Sequence, residues 1–248
     1  MSEFYSSASS EDNEYSIKKE GTLGITNYRV FVTHNDHIIS PFHNIPLWVK
    51  KSSVAHMVVE IPRGTQAKME INKKEQFNPI AQDIKEGKLR FIACPYPHHY
   101  GTFPQTWENP AYLDPYTNAK GDNDPVDVYD ISSFSTETGD VIQVKILGVY
   151  GMIDAGETDW KVIAINVNDP DAKKYNDISD IPKEQLDAFF TFMRDYKIPE
   201  GKGQNKFAFD SQPMNKAFAI KIINETHEEW KKLIKGETNC NDISLTRF

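Results

Sequence analysis

The chain has 248 residues, 39% of them hydrophobic, enough to bury one sizeable core. Its formal net charge of -8 argues against nucleic acid binding through the bulk surface, so an anionic substrate would need metal ions and a local basic cluster. The first residues lack the apolar core of a signal peptide, no run of about 18 apolar residues is present to span a bilayer, and Cys94 and Cys240 fit no metal or redox spacing. The reading is a cytoplasmic protein with free thiols and with neither nucleic acid nor membrane as a partner.

In chain order, residues 1–20 are rich in Ser, Glu, Asp and Asn and predict a disordered tail, because they offer little apolar surface to offset the entropy of ordering. From Tyr28 the pattern becomes strand-like, with runs at Tyr28 to Thr33, Met57 to Ile61, Lys68 to Ile71, Val126 to Ile131, Val141 to Val149 and Trp160 to Val167. Strands without helices between them predict a small closed or partly closed barrel, mainly β with α, in a single domain over residues 21–236. Two helices follow. Asp180 is expected to cap one that starts near Pro182 and carries Leu186, Phe189, Phe190 and Met193 on one face. The second starts near Pro213, carries Phe218, Ile222 and Trp230, and stops at Gly236; residues 237–248 read as a polar C-terminal tail.

The stretch Gly121-Asp122-Asn123-Asp124-Pro125-Val126-Asp127-Val128 concentrates three carboxylates in six residues. Unpaired charges 4 Å apart repel by about 4 kcal/mol at an effective dielectric near 20, so the turn either splays into water or holds a cation. Pro125 stiffens the turn and Asp127 opens a strand, which favours convergence of Asp122 and Asp127 on one point. An EF-hand is excluded, since the fifth and sixth positions counted from Asp122 are Val126 and Asp127. Carboxylates without His or Cys suit a hard cation such as Mg²⁺ or Mn²⁺. A second acidic turn, Asp154 to Asp159, joins two strand-like runs, and Lys161 follows it. Lys68 and Glu70 project to one side of a strand, and Lys68, Arg90 and Lys161 sit at strand edges, where they would suit a phosphate-rich substrate bridged by metals.

The motifs GDNDPVDV, EIPRGTQAKMEI, GTFPQTWE, DAGETDWKVIAI, YKIPEGK and THEEWKKL resemble, in order and from about Tyr28 to Lys235, the soluble family I inorganic pyrophosphatases of eukaryotic type. The resemblance implies a five-stranded OB-like β-barrel flanked by helices that hydrolyses pyrophosphate to two orthophosphates with several Mg²⁺ ions, Mn²⁺ or other divalent ions being possible substitutes. By motif, Asp122, Asp127 and Asp159 match ligands of the tightest metal, Asp154 and Glu70 ligands of metals that arrive with substrate, and Glu60 a polar support. Asp124 matches the residue that orients and deprotonates the attacking water. Lys68, Arg90, Tyr100, Lys161, Tyr196 and Lys197 match the groups that hold the two phosphates, Tyr100 counting with Asp124 as catalytic.

Two departures stand out. The run from Arg90 to Tyr100 is shorter than in the fungal and animal enzymes, which carry an additional Tyr there, and Gly64 replaces an aromatic residue that packs in their dimer interface, although a homodimer remains the expectation. His98 and His99 read as loop or interface residues and not as metal ligands. The competing readings are a metal-dependent hydrolase of longer polyphosphates or nucleotides, and a catalytically silent OB-like binding module.

Overall fold

The computed structural model describes residues 15–49, 53–239 and 242–248. Its centre is a ring of five strands: β1 (Val54–Ile61), β2 (His99–Thr102), β3 (Asp127–Asp130), β4 (Val141–Asp154) and β5 (Glu157–Asn166). Strand β1 pairs with β2 and β4, β3 pairs with β2 and β5, and β4 pairs with β5, so the circuit closes as an OB-like barrel. Closure leaves no ladder unpaired around the ring. The β3–β5 pair is parallel and the other four are antiparallel.

Two helices flank the ring, α1 (Lys183–Asp195) and α2 (Lys216–Lys235). The strand faces divide between them. Trp160, Val162 and Ala164 of β5 share a buried cluster with Met57, Val59, Val128 and Ile222 of α2. Ile163 and Ile165, out of phase by one residue, join the cluster that holds Phe189 and Met193 of α1. Burial on both faces explains why these segments read as nearly continuous apolar runs. Strands β4 and β5 meet at Ala155 and Gly156, whose φ of 51° and 93° make a two-residue turn with Asp154 opposite Glu157.

A second sheet contains Tyr15–Glu20, Arg29–His34, His37–Ile39, Met69–Ile71 and Ile80–Gln82. The tail expectation is therefore corrected for residues 15–20. They pair antiparallel with Arg29–His34 along their whole length, and Tyr15 and Ile17 pack on the core. Ladder bonds and two inward side chains offset the ordering entropy that composition alone could not. Residues 1–14 lie outside the described residues.

The expected cap of α1 is also corrected. Asp180 accepts hydrogen bonds from the Asn176 and Asp177 N–H groups at 2.7 and 3.1 Å and closes a short 3₁₀ turn, so α1 begins after Pro182 with no side-chain cap. Helix α2 starts after Asn215, whose side chain accepts from the Phe218 N–H at 3.0 Å, and ends on Gly236 at φ 71°. The C-terminal residues 242–248 fold back onto the body: Ile243 is buried, and Phe248 stacks on His37. His99 lies within β2, buried, with its Nε2 donating to the Phe134 carbonyl at 2.6 Å, so it is a strand residue and not a loop residue. Cys94 is an exposed free thiol and Cys240 lies outside the described residues. No described helix is long and apolar enough to cross a membrane.

Candidate active site

Glu60, Lys68, Glu70, Arg90, Tyr100, Asp122, Asp124, Asp127, Asp154, Asp159, Lys161, Tyr196 and Lys197 all line one cleft of about 180 Å³. Strand register explains much of this convergence. The parallel β3–β5 ladder sets Asp127 opposite Lys161, and Asp159 lies on the same face of β5 two residues earlier. The Lys161 ammonium thus pairs with Asp127 and, at 2.5 Å, with Asp159. Tyr100 of β2 donates to Asp127 at 2.5 Å.

The β1–β2 pairing shifts between Val59 and Ile61, an irregularity that re-aims the strand at Glu60. The Glu60 carboxyl then accepts from the Ile71 N–H at 2.7 Å and ties the barrel to the second sheet. Lys68 stands 3.7 Å from Glu70 with its ammonium 4.8 Å from the centre of the Tyr100 ring. Arg90 is held by Asp83 at 3.1 Å and reaches Glu200 at 3.5 Å. Tyr196 and Lys197 come directly off the end of α1, where Lys197 pairs with Asp154 across the mouth of the β4–β5 turn.

The first acidic turn is shaped from outside as well as by Pro125. A Cβ at Gly121 would lie 2.3 Å from the Glu108 carbonyl, so only glycine fits there. The Glu108 N–H donates to the Asp124 carbonyl at 2.8 Å and the Asn123 N–H donates back to Glu108 at 2.9 Å. Asn123 takes the left-handed conformation, φ 72°, with its side chain accepting from Trp107 Nε1 at 3.0 Å.

Glu108 was not singled out from the sequence and does not line the cleft, yet it stands beside two residues that do, Asp122 and Asp159. It is buried, one oxygen accepts from the Trp160 N–H at 3.1 Å, and the other has no partner. Oxygens of Glu108, Asp122 and Asp159 lie within 4.8 Å of one another. Burial first, and then repulsion from neighbouring carboxylates, Asp122 for Glu108 and Asp124 for Asp122, pushes both carboxyls far above the usual carboxylate range. Burial likewise raises Asp159, to about 7, against the pull of Lys161. Crowded carboxylates, two of them buried and Asp122 half-buried, with an orphaned oxygen form a donor set that a hard divalent cation would satisfy. The only trace of Glu108 in the sequence was its place at the end of GTFPQTWE, and its approach to Asp122 and Asp159 depends on long-range folding. Lys73 was also passed over, because Lys73-Lys74-Glu75 reads as a solvated charge run; its ammonium meets Asp124 at 2.5 Å.

Residues 57–231 match the family described as inorganic pyrophosphatase. The chain belongs to the inorganic pyrophosphatase family. Among its pyrophosphatase relatives, that of Dictyostelium discoideum is 52% identical over 231 residues, covering 92% of this chain and 83% of the relative. The solved pyrophosphatase of Schistosoma japonicum superposes with a TM-score of 0.86 at 50% identity, over 88% of this chain and 80% of that one. A truncated vacuolar soluble pyrophosphatase of Trypanosoma cruzi, solved in complex with pyrophosphate, gives a TM-score of 0.87 at 37% identity and covers 95% of this chain and 99% of that one.

Proposed function

We propose that this chain hydrolyses pyrophosphate to two orthophosphates with Asp124 as general base, Mg²⁺ as its metal, and the cleft's Lys, Arg and Tyr side chains as phosphate clamps. The activity itself is that of the family. The observation that carries the assignment of roles is the meeting, in one cleft, of every carboxylate, basic group and tyrosine matched by motif. Divalent metal use follows from the family and is supported by the cluster of Glu108, Asp122 and Asp159. Those three, with Asp127, Asp154 and Glu70, would hold the ions, which supply Lewis acidity toward phosphate and acidify the attacking water.

The protein's own groups do the rest. Asp124, on the rigid turn between Asp122 and Asp127, takes a proton from the water. Lys68, Arg90, Lys161 and Lys197 neutralise phosphate oxygens and align the leaving phosphate with attack. Burial above all keeps the Tyr100 and Tyr196 hydroxyls far from ionising, so both remain hydrogen-bond donors at neutral pH. Lys161 suits its role for a related reason: burial alone would weaken its charge, but Asp127 and Asp159 outweigh that and keep it protonated.

The test is phosphate release from pyrophosphate and from ATP, each with Mg²⁺, with Mn²⁺ and with chelator. Rapid, Mg²⁺-dependent release from pyrophosphate but not ATP supports the reading. Preferential release from ATP or longer polyphosphates would replace it. A homodimer in the cytoplasm accompanies this proposal by family resemblance, and light scattering that gave a monomer mass would remove the dimer.

A further inference from the structure

Asp124 sits on the turn with its side chain 47% exposed. A half-exposed carboxylate is free to rotate unless something holds it, and a general base must sit within about 2.6–3.2 Å of the proton it takes. Among the described residues the carboxylate has one ion-pair partner, the Lys73 ammonium at 2.5 Å, which also donates to the Asn123 carbonyl at 2.9 Å. Lys73 therefore grips both the side chain and the backbone of the acidic turn. It is absent from the lining of the cleft and lines the neighbouring groove with Asn72 and Asp83, so it reaches Asp124 from outside the substrate space.

Lys73 is itself held at its backbone. Its carbonyl accepts from Asn78 Nδ2 at 3.0 Å and from the Ser244 N–H at 2.7 Å. Asn72 fixes the start of the same turn by accepting from the Lys74 and Glu75 N–H groups at 3.1 and 3.3 Å. The Ser244 carbonyl is bound in turn by His43 Nε2 at 3.1 Å, and His43 Nδ1 accepts from Trp230 Nε1 of α2 at 3.0 Å. The folded-back C-terminal segment thus connects α2 to the turn that carries Lys73.

We propose that Lys73 is a positioning residue for pyrophosphate hydrolysis: it holds the Asp124 carboxylate toward the attacking water, and the C-terminal segment fixes the backbone from which it reaches. This rests on the reading of Asp124 as the base. The experiment measures kcat and KM for pyrophosphate at saturating Mg²⁺, with melting temperatures, for wild type, K73M, K73R, D124N and K73M/D124N. The expected result is a loss in kcat of roughly 10- to 100-fold in K73M with KM nearly unchanged, and substantial recovery in K73R, since small displacements of a reacting group cost about that much. In the D124N background the same K73M change is expected to cost less than about twofold, because its target is already gone. Should K73M fail to fold, Lys73→Gln takes its place in the same cycle. Wild-type kcat in K73M beside a collapsed D124N would overturn the positioning role alone, as would equal losses in the two backgrounds or a loss confined to KM. Wild-type turnover in D124N would overturn the base reading and the positioning role with it.

Discussion

The cleft and the outer face of α2 both carry several carboxylates, and the two respond to them in opposite ways. On α2, the exposed Glu228 pairs with Lys231 at 2.7 Å, three residues away along the helix. The bond from Lys231 holds the exposed Glu228 carboxyl below its ordinary range. At Asp122 and Asp159 of the cleft, and at Glu108 beside them, burial dominates and drives the carboxyls the other way. Acidic residues alone therefore do not mark a site. Acidic residues that folding strips of water without giving them enough cations do.

That contrast can be broken at several points. The largest effect belongs to Asp124→Asn, expected to lower the rate of phosphate release on the order of 10²- to 10⁴-fold while the melting temperature barely moves. Next is Glu108→Gln, which removes a carboxylate oxygen from the trio with Asp122 and Asp159; calorimetric titration should show affinity for Mg²⁺ or Mn²⁺ falling by about 10- to 100-fold. The same change at the exposed Glu228 should leave it unaltered.

The pH dependence sharpens the comparison further. Asp159 is raised to about 7 from 3.8, so the folded chain holds a proton that the unfolded chain has released. The stability this gives is complete below about pH 4 and is lost as pH rises through about 7. In chelator, the melting temperature should accordingly fall by several degrees between pH 5 and pH 8, Asp159→Asn should flatten that slope, and Mg²⁺ at pH 8 should restore what was lost. The smallest effect is Glu228→Gln: turnover unchanged and the melting temperature shifted by no more than about 1 °C, as for a solvated helix pair.

Much of this was legible in the sequence where the determinants are local. Four of the five barrel strands announced themselves through apolar runs and the two acidic turns through their composition, whereas β2, with the sequence His-Tyr-Gly-Thr, offers no apolar run to read. What escaped was set by distant contacts. Tyr15–Glu20 looked like tail because its few apolar side chains count only once Arg29–His34 lies beside them. Asp180 looked like the cap of α1 because a cap one turn earlier has the same composition. Glu108 and Lys73 looked ordinary because each acquires meaning from the turn at Asp122–Asp124, which arrives 14 or more residues later in the chain.

The turn at Ala155 and Gly156 carries a last consequence, for how this sequence can change over time. Two residues join β4 to β5, and β5 presents Asp159 and Lys161 on one face and Trp160 on the other. One residue inserted into the turn and propagated along β5 would exchange those faces, sending an indole toward the phosphates and two charges into the apolar interior. Substitution at the exposed Glu157 should be harmless by comparison. Along this hairpin, length is under tighter constraint than spelling, and insertions and deletions are the changes the active site is least able to absorb.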